Sequence, residues 1–154
     1  MDKITEYQQE SVKSVQMANY LLSTSYKLVK EPKALLSITD HVLSSFLSSV
    51  SALLLFERTK KEILPYHEND ESKMNAFRKL VPKYDLQNYM ATIETIINLS
   101  QEHKKASVEF SRDNKFIICS EEFKKIETVS ETDVKEYIKK AKEFTQVIGR
   151  IINE

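Results

Sequence analysis

Leu35 to Ile63 reads LLSITDHVLSSFLSSVSALLLFERTKKEI, and this stretch decides the fold. From Val42 to Phe56 there is no charge, yet six of the fifteen residues are serine or alanine. A membrane span wants about 20 mostly apolar residues, so this run is too short and too rich in hydroxyls. It is also too apolar around its circumference for a surface helix. The reading that remains is a central helix over Lys33–Ile63, packed on nearly every side, whose small residues admit close neighbours. One stripe is Ile38, Val42, Phe46, Ser49, Leu53 and Phe56, and a second is Leu36, Leu43, Leu47, Val50 and Leu54. The third face, with Ser44, Ser48 and Ser51, is expected to be mostly buried, each hydroxyl bonding the carbonyl four residues back.

Outward from this helix the pattern stays helical. Ile4, Tyr7, Ser11, Val15, Ala18, Leu22, Tyr26 and Val29 recur at three- and four-residue steps, predicting a first helix from Asp2 to Lys30. Glu31-Pro32 makes a corner, because proline disfavours helical geometry in the residue before it. Beyond Pro65 the polar run His67–Lys73 is a loop. Met74, Phe77, Leu80 and Val81 predict a helix that stops at Pro82, and Asp85 is an N-cap candidate for the next. The segment Ala106–Thr128 lacks helical period. Its runs Val108–Phe110 and Phe116–Cys119 flank Asp113-Asn114, as a β-hairpin would. Ser130 with Asp133 three residues on marks the start of the last helix, and Val129 can staple to Val134.

These elements predict an all-α fold: an up-and-down bundle of four main helices with a short β-hairpin-like insert before the last helix, in a single domain over residues 1–154. One glycine and three prolines leave little turn chemistry for a many-stranded β protein. Lys plus Arg equal Asp plus Glu at 23 each, so no strong field draws the chain to nucleic acid or to an anionic membrane. The lone Cys119 excludes an internal disulfide, and the polar N-terminus carries no signal-peptide core. A cytoplasmic setting follows as the expectation.

The chemistry-bearing residues are few. No Glu-x-x-His occurs, so the di-iron carboxylate pattern of helical bundles is missing, and no metal or cofactor is expected. Cys119 lies in an apolar run and reads as a small buried hydrophobe. His41 reads as a structural histidine, and His103 as a cation at a helix C-terminus. His67 is the informative one, in a polar loop beyond Glu57-Arg58 and followed by Lys73. A histidine near an arginine can move a proton on a phosphodiester while the guanidinium meets the developing charge. Glu57, Arg58, His67 and Lys73 are therefore the candidate binding residues, with Arg58 and His67 the only candidate catalytic pair.

The element order completes the reading. A long amphipathic helix precedes a nearly all-apolar helix ending Leu-Leu-Leu-Phe-Glu-Arg. A His-containing loop then leads into Met74-Asn75-Ala76-Phe77, and the chain closes with the stripe Ile138, Ala141, Phe144. This order resembles the HEPN superfamily of small helical-bundle domains. The resemblance implies an antiparallel pair of long first helices and a tendency to form a homodimer. Ribonuclease members of that family carry an Arg followed four to six residues later by a His. Here eight residues separate Arg58 from His67, which are only positional analogues. The expectation is a non-catalytic HEPN-like interaction module binding nucleotide, RNA or a protein partner. The alternatives are a metal-independent ribonuclease using Arg58 and His67, or a purely structural scaffold bundle.

Overall fold

The first helix, α1, begins at Lys3, where the Asp2 carboxylate accepts from the Thr5 amide and caps it. The computed structural model describes residues 2–154, and in it α1 runs Lys3–Leu21, passes through a π-helical turn at Leu22–Tyr26, and ends with Lys27–Val29. A π turn opens the backbone ladder. Ser23 and Thr24 meet it by donating their hydroxyls to the Asn19 and Tyr20 carbonyls at 2.8 and 2.6 Å. The central helix α2 spans Ala34–Thr59, α3 Asp70–Tyr84, α4 Gln87–Lys105 and α5 Glu131–Asn153. Between α4 and α5 lies a three-stranded antiparallel sheet of β1 Val108–Arg112, β2 Lys115–Ser120 and β3 Lys125–Ser130, in the order β1-β2-β3.

α2 packs most extensively against α1 and then against α5. Val15, Ala18 and Leu22 of α1 meet Ile38, Val42, Phe46, Val50 and Leu53 of α2 in one core. Phe144 of α5 is the hub of that core. Its ring stacks against Phe46 of α2, Phe77 of α3 and Tyr89 of α4 at centroid distances of 5.5, 5.9 and 5.2 Å. One side chain thus joins four helices.

The α1–α2 contact has a polar centre. The Ser11 hydroxyl donates to the Ser45 carbonyl at 2.8 Å, and the Ser45 hydroxyl donates back to the Ser11 carbonyl at 2.7 Å. Ser49 Oγ lies 2.5 Å from Ser11 Oγ. The Ser11 proton is already committed to Ser45, so Ser49 supplies the donor. Ser14 and Ser44 extend the seam at 3.2 Å. Because Ser11 faces Ser45 and Ser49 while Ser14 faces Ser44, the two helices run antiparallel.

Several expectations need correction. The serines of α2 do not spend their hydroxyls on their own helix as predicted: Ser45 and Ser49 bond across to α1, Ser51 accepts from Lys73 at 3.1 Å, and it is the threonines, Thr39 to Leu35 and Thr59 to Leu55, that bond four residues back. The third face of α2 is not closed either. Ser51 is buried, but Ser44 and Ser48 are half-buried and line a shallow groove with Leu43, Leu47 and Asp70. α2 ends at Thr59 rather than Ile63, and Lys61 takes the left-handed conformation that turns the chain. Pro82 does not stop its helix. It sits in the last turn of α3, where the missing N–H costs one bond near an exposed end. Asp85 is not an N-cap but the left-handed residue that ends α3 at φ 57°, a conformation its short polar side chain tolerates. The helical segments on either side of it, α3 and α4, are separate, which makes five helices among the described residues.

The insert is a sheet rather than a hairpin. Its first turn, Asp113-Asn114, has both residues at positive φ, as a two-residue hairpin turn requires. β3 was not visible because KIETVS carries two charges among few apolar residues. Residues directly opposite one another share a sheet face. The register therefore sends Phe116, Ile118, Ser120 and Val129 inward, all buried, and Val108, Phe110, Ile117 and Ile126 outward. The start of α5 is as expected: the Ser130 side chain and the Asp133 side chain bond each other's backbone amides in a capping box.

The seam predicts a contrast between adjacent serines. Ser49→Leu forces extra volume into a filled contact and removes a buried donor, which costs at least about 1–3 kcal/mol. Ser48→Leu points into the open groove and stays within about 0.5 kcal/mol of wild type. Denaturant midpoints of the two variants decide this; equal shifts would contradict the geometry.

Candidate functional site

Glu57 lies in the last turns of α2 and is fully buried. A buried carboxylate needs donors close by. The end of α3 supplies them: the Tyr84 hydroxyl donates to one oxygen and the Lys83 ammonium lies 3.1 Å from the other. The Glu62 amide bonds the Glu57 carbonyl at 2.9 Å, which folds the chain back under the helix end. Burial raises the Tyr84 phenol above its ordinary pKa, and the adjacent carboxylate adds to that. Lys83 is raised chiefly by its hydrogen bond to Glu57.

Arg58, one residue on, points the other way. It is exposed, and its guanidinium sits 5.6 Å from the centre of the Tyr66 ring. His67 follows Tyr66 directly, is exposed, and lines a cleft of about 690 Å³ together with Tyr66, Asn75, Lys79 and Lys83. Among the described residues no hydrogen bond joins Arg58 to His67. Lys73 is drawn elsewhere, to Ser51 at 3.1 Å, to Glu68 at 3.2 Å, and over the Tyr7 ring. Partial burial pulls its pKa down, and the contacts with Glu68 and Tyr7 outweigh that and leave it raised.

The four candidate residues thus fall into four separate settings. Glu57 is sealed inside and held by Tyr84 and the partly exposed Lys83, Arg58 stacks on the surface of the loop, and Lys73 braces α3 against α1 and α2. His67 alone opens into the cleft. Nothing in this arrangement aims a base at the arginine. Among the described residues no group of three or more His, Cys, Asp or Glu is placed to hold a metal ion.

A second polar centre escaped the sequence reading. Glu102, at the end of α4, is 2% exposed and accepts from the Ser120 hydroxyl of β2, with the Lys125 ammonium of β3 at 3.5 Å. The Ser120 bond lowers its pKa, burial opposes that, and Lys125 lowers it further. Asn98 donates to Glu127 at 3.0 Å, and His103 contacts Glu109. His103 is therefore tied to β1 as well as sitting at the α4 C-terminus. These contacts fasten the inner sheet face to α4. The available signal was weak: Asn98, Glu102 and His103 share one side of α4, but their partners lie up to 29 residues away.

No family model matches the chain, and no curated protein and no solved structure matches it either.

Glu102 makes stability depend on pH in a defined direction. Its carboxyl titrates below the ordinary value of 4.5 in the folded state, so its contribution is present above that pH and is lost as pH falls through the folded pKa. Ser120→Ala removes the main cause of the shift. The stability gap between wild type and Ser120→Ala is expected to be widest near neutral pH and to narrow below about 4.5. A gap that stays constant in denaturant titrations from pH 7 to pH 3 would contradict the assignment.

Proposed function

We propose that the chain is a non-catalytic, HEPN-like interaction module, an up-and-down helical bundle whose partner is a second copy of itself. The observation that carries this reading is the outer face of the sheet. Val108, Phe110 and Ile126 stand there at 40%, 38% and 58% exposed, with Ile117 half-buried among them and Phe123 at 58% in the adjoining turn. Cys119 belongs to the same face but is almost fully covered. A contiguous apolar sheet face of this kind marks an interaction site. β1 is also a sheet edge with unpaired backbone groups, a ready template for further pairing.

A second copy suits the face because it is uncharged at its centre, so two-fold pairing opposes no like charges there. Three strands of this length span roughly 20 by 15 Å. That is an apolar centre for an interface whose rim must bring the total to about 800 Å² per partner. The antiparallel pairing of α1 with α2 and the apolar stripe of α5 support the family likeness. The non-catalytic reading is supported by the separate engagements of Glu57, Arg58 and Lys73. RNA and nucleotide are less favoured as ligands, because Lys83, one of the cations at the His67 cleft, is already neutralised by Glu57.

Sedimentation equilibrium at micromolar concentration is expected to give about twice the 17.9 kDa chain mass. The double variant Phe110→Asp/Ile126→Lys is expected to sediment as a single chain with unchanged helical content. RNA incubated with the wild-type protein in EDTA should remain intact. A wild-type mass of one chain would reject the self-partner. Cleavage that vanishes in both Arg58→Ala and His67→Ala would replace the module with a nuclease.

A further inference from the structure

The balanced total charge conceals an uneven distribution. The α1–α2 corner reads Lys27-Leu28-Val29-Lys30-Glu31-Pro32-Lys33. Leu28 is 86% exposed and Val29 73%, and with Leu64 they are the most exposed large apolar side chains among the described residues. Lys27, Lys30 and Lys33 surround them, all exposed, and none forms an ion pair among the described residues. Glu31 is the one acid in this run.

The corner is held in place. The Lys30 amide bonds the Tyr26 carbonyl at 2.7 Å, and Lys30 takes the left-handed conformation that ends the helix. Pro32 is buried behind it, and the Ser111 hydroxyl reaches the Glu31 carboxylate at 3.5 Å. That last contact brings the β1–β2 turn alongside, where Arg112 pairs with the exposed Asp113 at 3.9 Å and so adds no net charge to the lysines.

We propose that this corner docks on an anionic lipid surface, with Leu28 and Val29 entering the headgroup boundary and the lysines facing the lipid phosphates and carboxylates. Charge complementarity identifies the surface, since cations flank the apolar pair on both sides in sequence. Shape favours a bilayer over a protein. Two projecting aliphatic side chains cannot cover the roughly 800 Å² per partner of a stable protein interface. A fluid headgroup layer closes around such a projection, and each nearby lysine strengthens the attraction to an acidic leaflet.

Co-sedimentation with vesicles tests this on the full chain. Phosphatidylcholine vesicles containing phosphatidylserine should retain the protein at ~0.1 M salt and release it at ~1 M, where the Debye length falls to about 3 Å. Phosphatidylcholine alone should not retain it. Leu28→Ser/Val29→Ser and Lys27→Gln/Lys33→Gln should each lower the bound fraction about tenfold. Leu64→Ser, equally exposed but beyond the opposite end of α2, should bind as wild type. Helical content from circular dichroism should be the same in all four proteins. Absence of binding to the acidic vesicles, equal binding to both lipids, or full binding by either double variant would overturn the proposal.

Discussion

The reciprocal hydrogen bonds between Ser11 and Ser45 set the distance between the two longest helices, and the rest of the molecule depends on that distance. Each serine donates its hydroxyl to the other's backbone carbonyl. Such a pair forms only when two helix backbones approach closely, and only small side chains permit that approach. Ser49 completes the cluster, and no buried side-chain donor or acceptor among the described residues is left without a partner. Satisfied buried polar groups fix register more sharply than apolar contacts do, because any slip leaves a buried hydroxyl donor unpaired at a cost of about 1–3 kcal/mol.

With α1 locked on one side of α2, the apolar stripes of α2 turn towards α5, α3 and α4, and Phe144 fills the space where they converge. The stripe carrying Ser44 and Ser48 receives no such cover and stays a groove. The sheet is then attached from outside. Its inner face adds Phe116, Ile118 and Val129 to the core, and Glu102, Asn98 and His103 tether it to α4 through polar contacts. An antiparallel sheet fastened on one face leaves the other to solvent or to a partner. The outward Val108, Phe110 and Ile126 follow directly from that construction.

Much of this was legible from residue order. Scarce glycine and proline require long helices, and the Ser130–Asp133 box marks α5 to the residue. Other features were hidden because one residue type serves two purposes. A serine in a helix can bond its own carbonyl ladder or a neighbouring helix, and periodicity treats both alike, so the seam was missed while its members were correctly placed in the helix. Aspartate caps a helix start and also tolerates the left-handed end, which is why Asp85 was read from the wrong side. In the candidate site, the adjacency of Glu57 and Arg58 suggested a shared role. Their partners, Tyr84, Lys83 and Tyr66, come from other segments, and those partners pull the two side chains apart.

A double-mutant cycle on Ser11→Ala and Ser45→Ala tests the central claim most directly. Each single variant strips one donor from the seam and leaves a carbonyl of the opposite helix with only its own helical hydrogen bond. Stability of wild type, both single variants and the double variant, from denaturant unfolding, yields the coupling between them. The seam predicts a coupling of about 1–2 kcal/mol, inside the range for residues in one hydrogen-bond network. Additivity of the two substitutions within about 0.3–0.5 kcal/mol would show that the serines act independently and that the α1–α2 distance is set by something else.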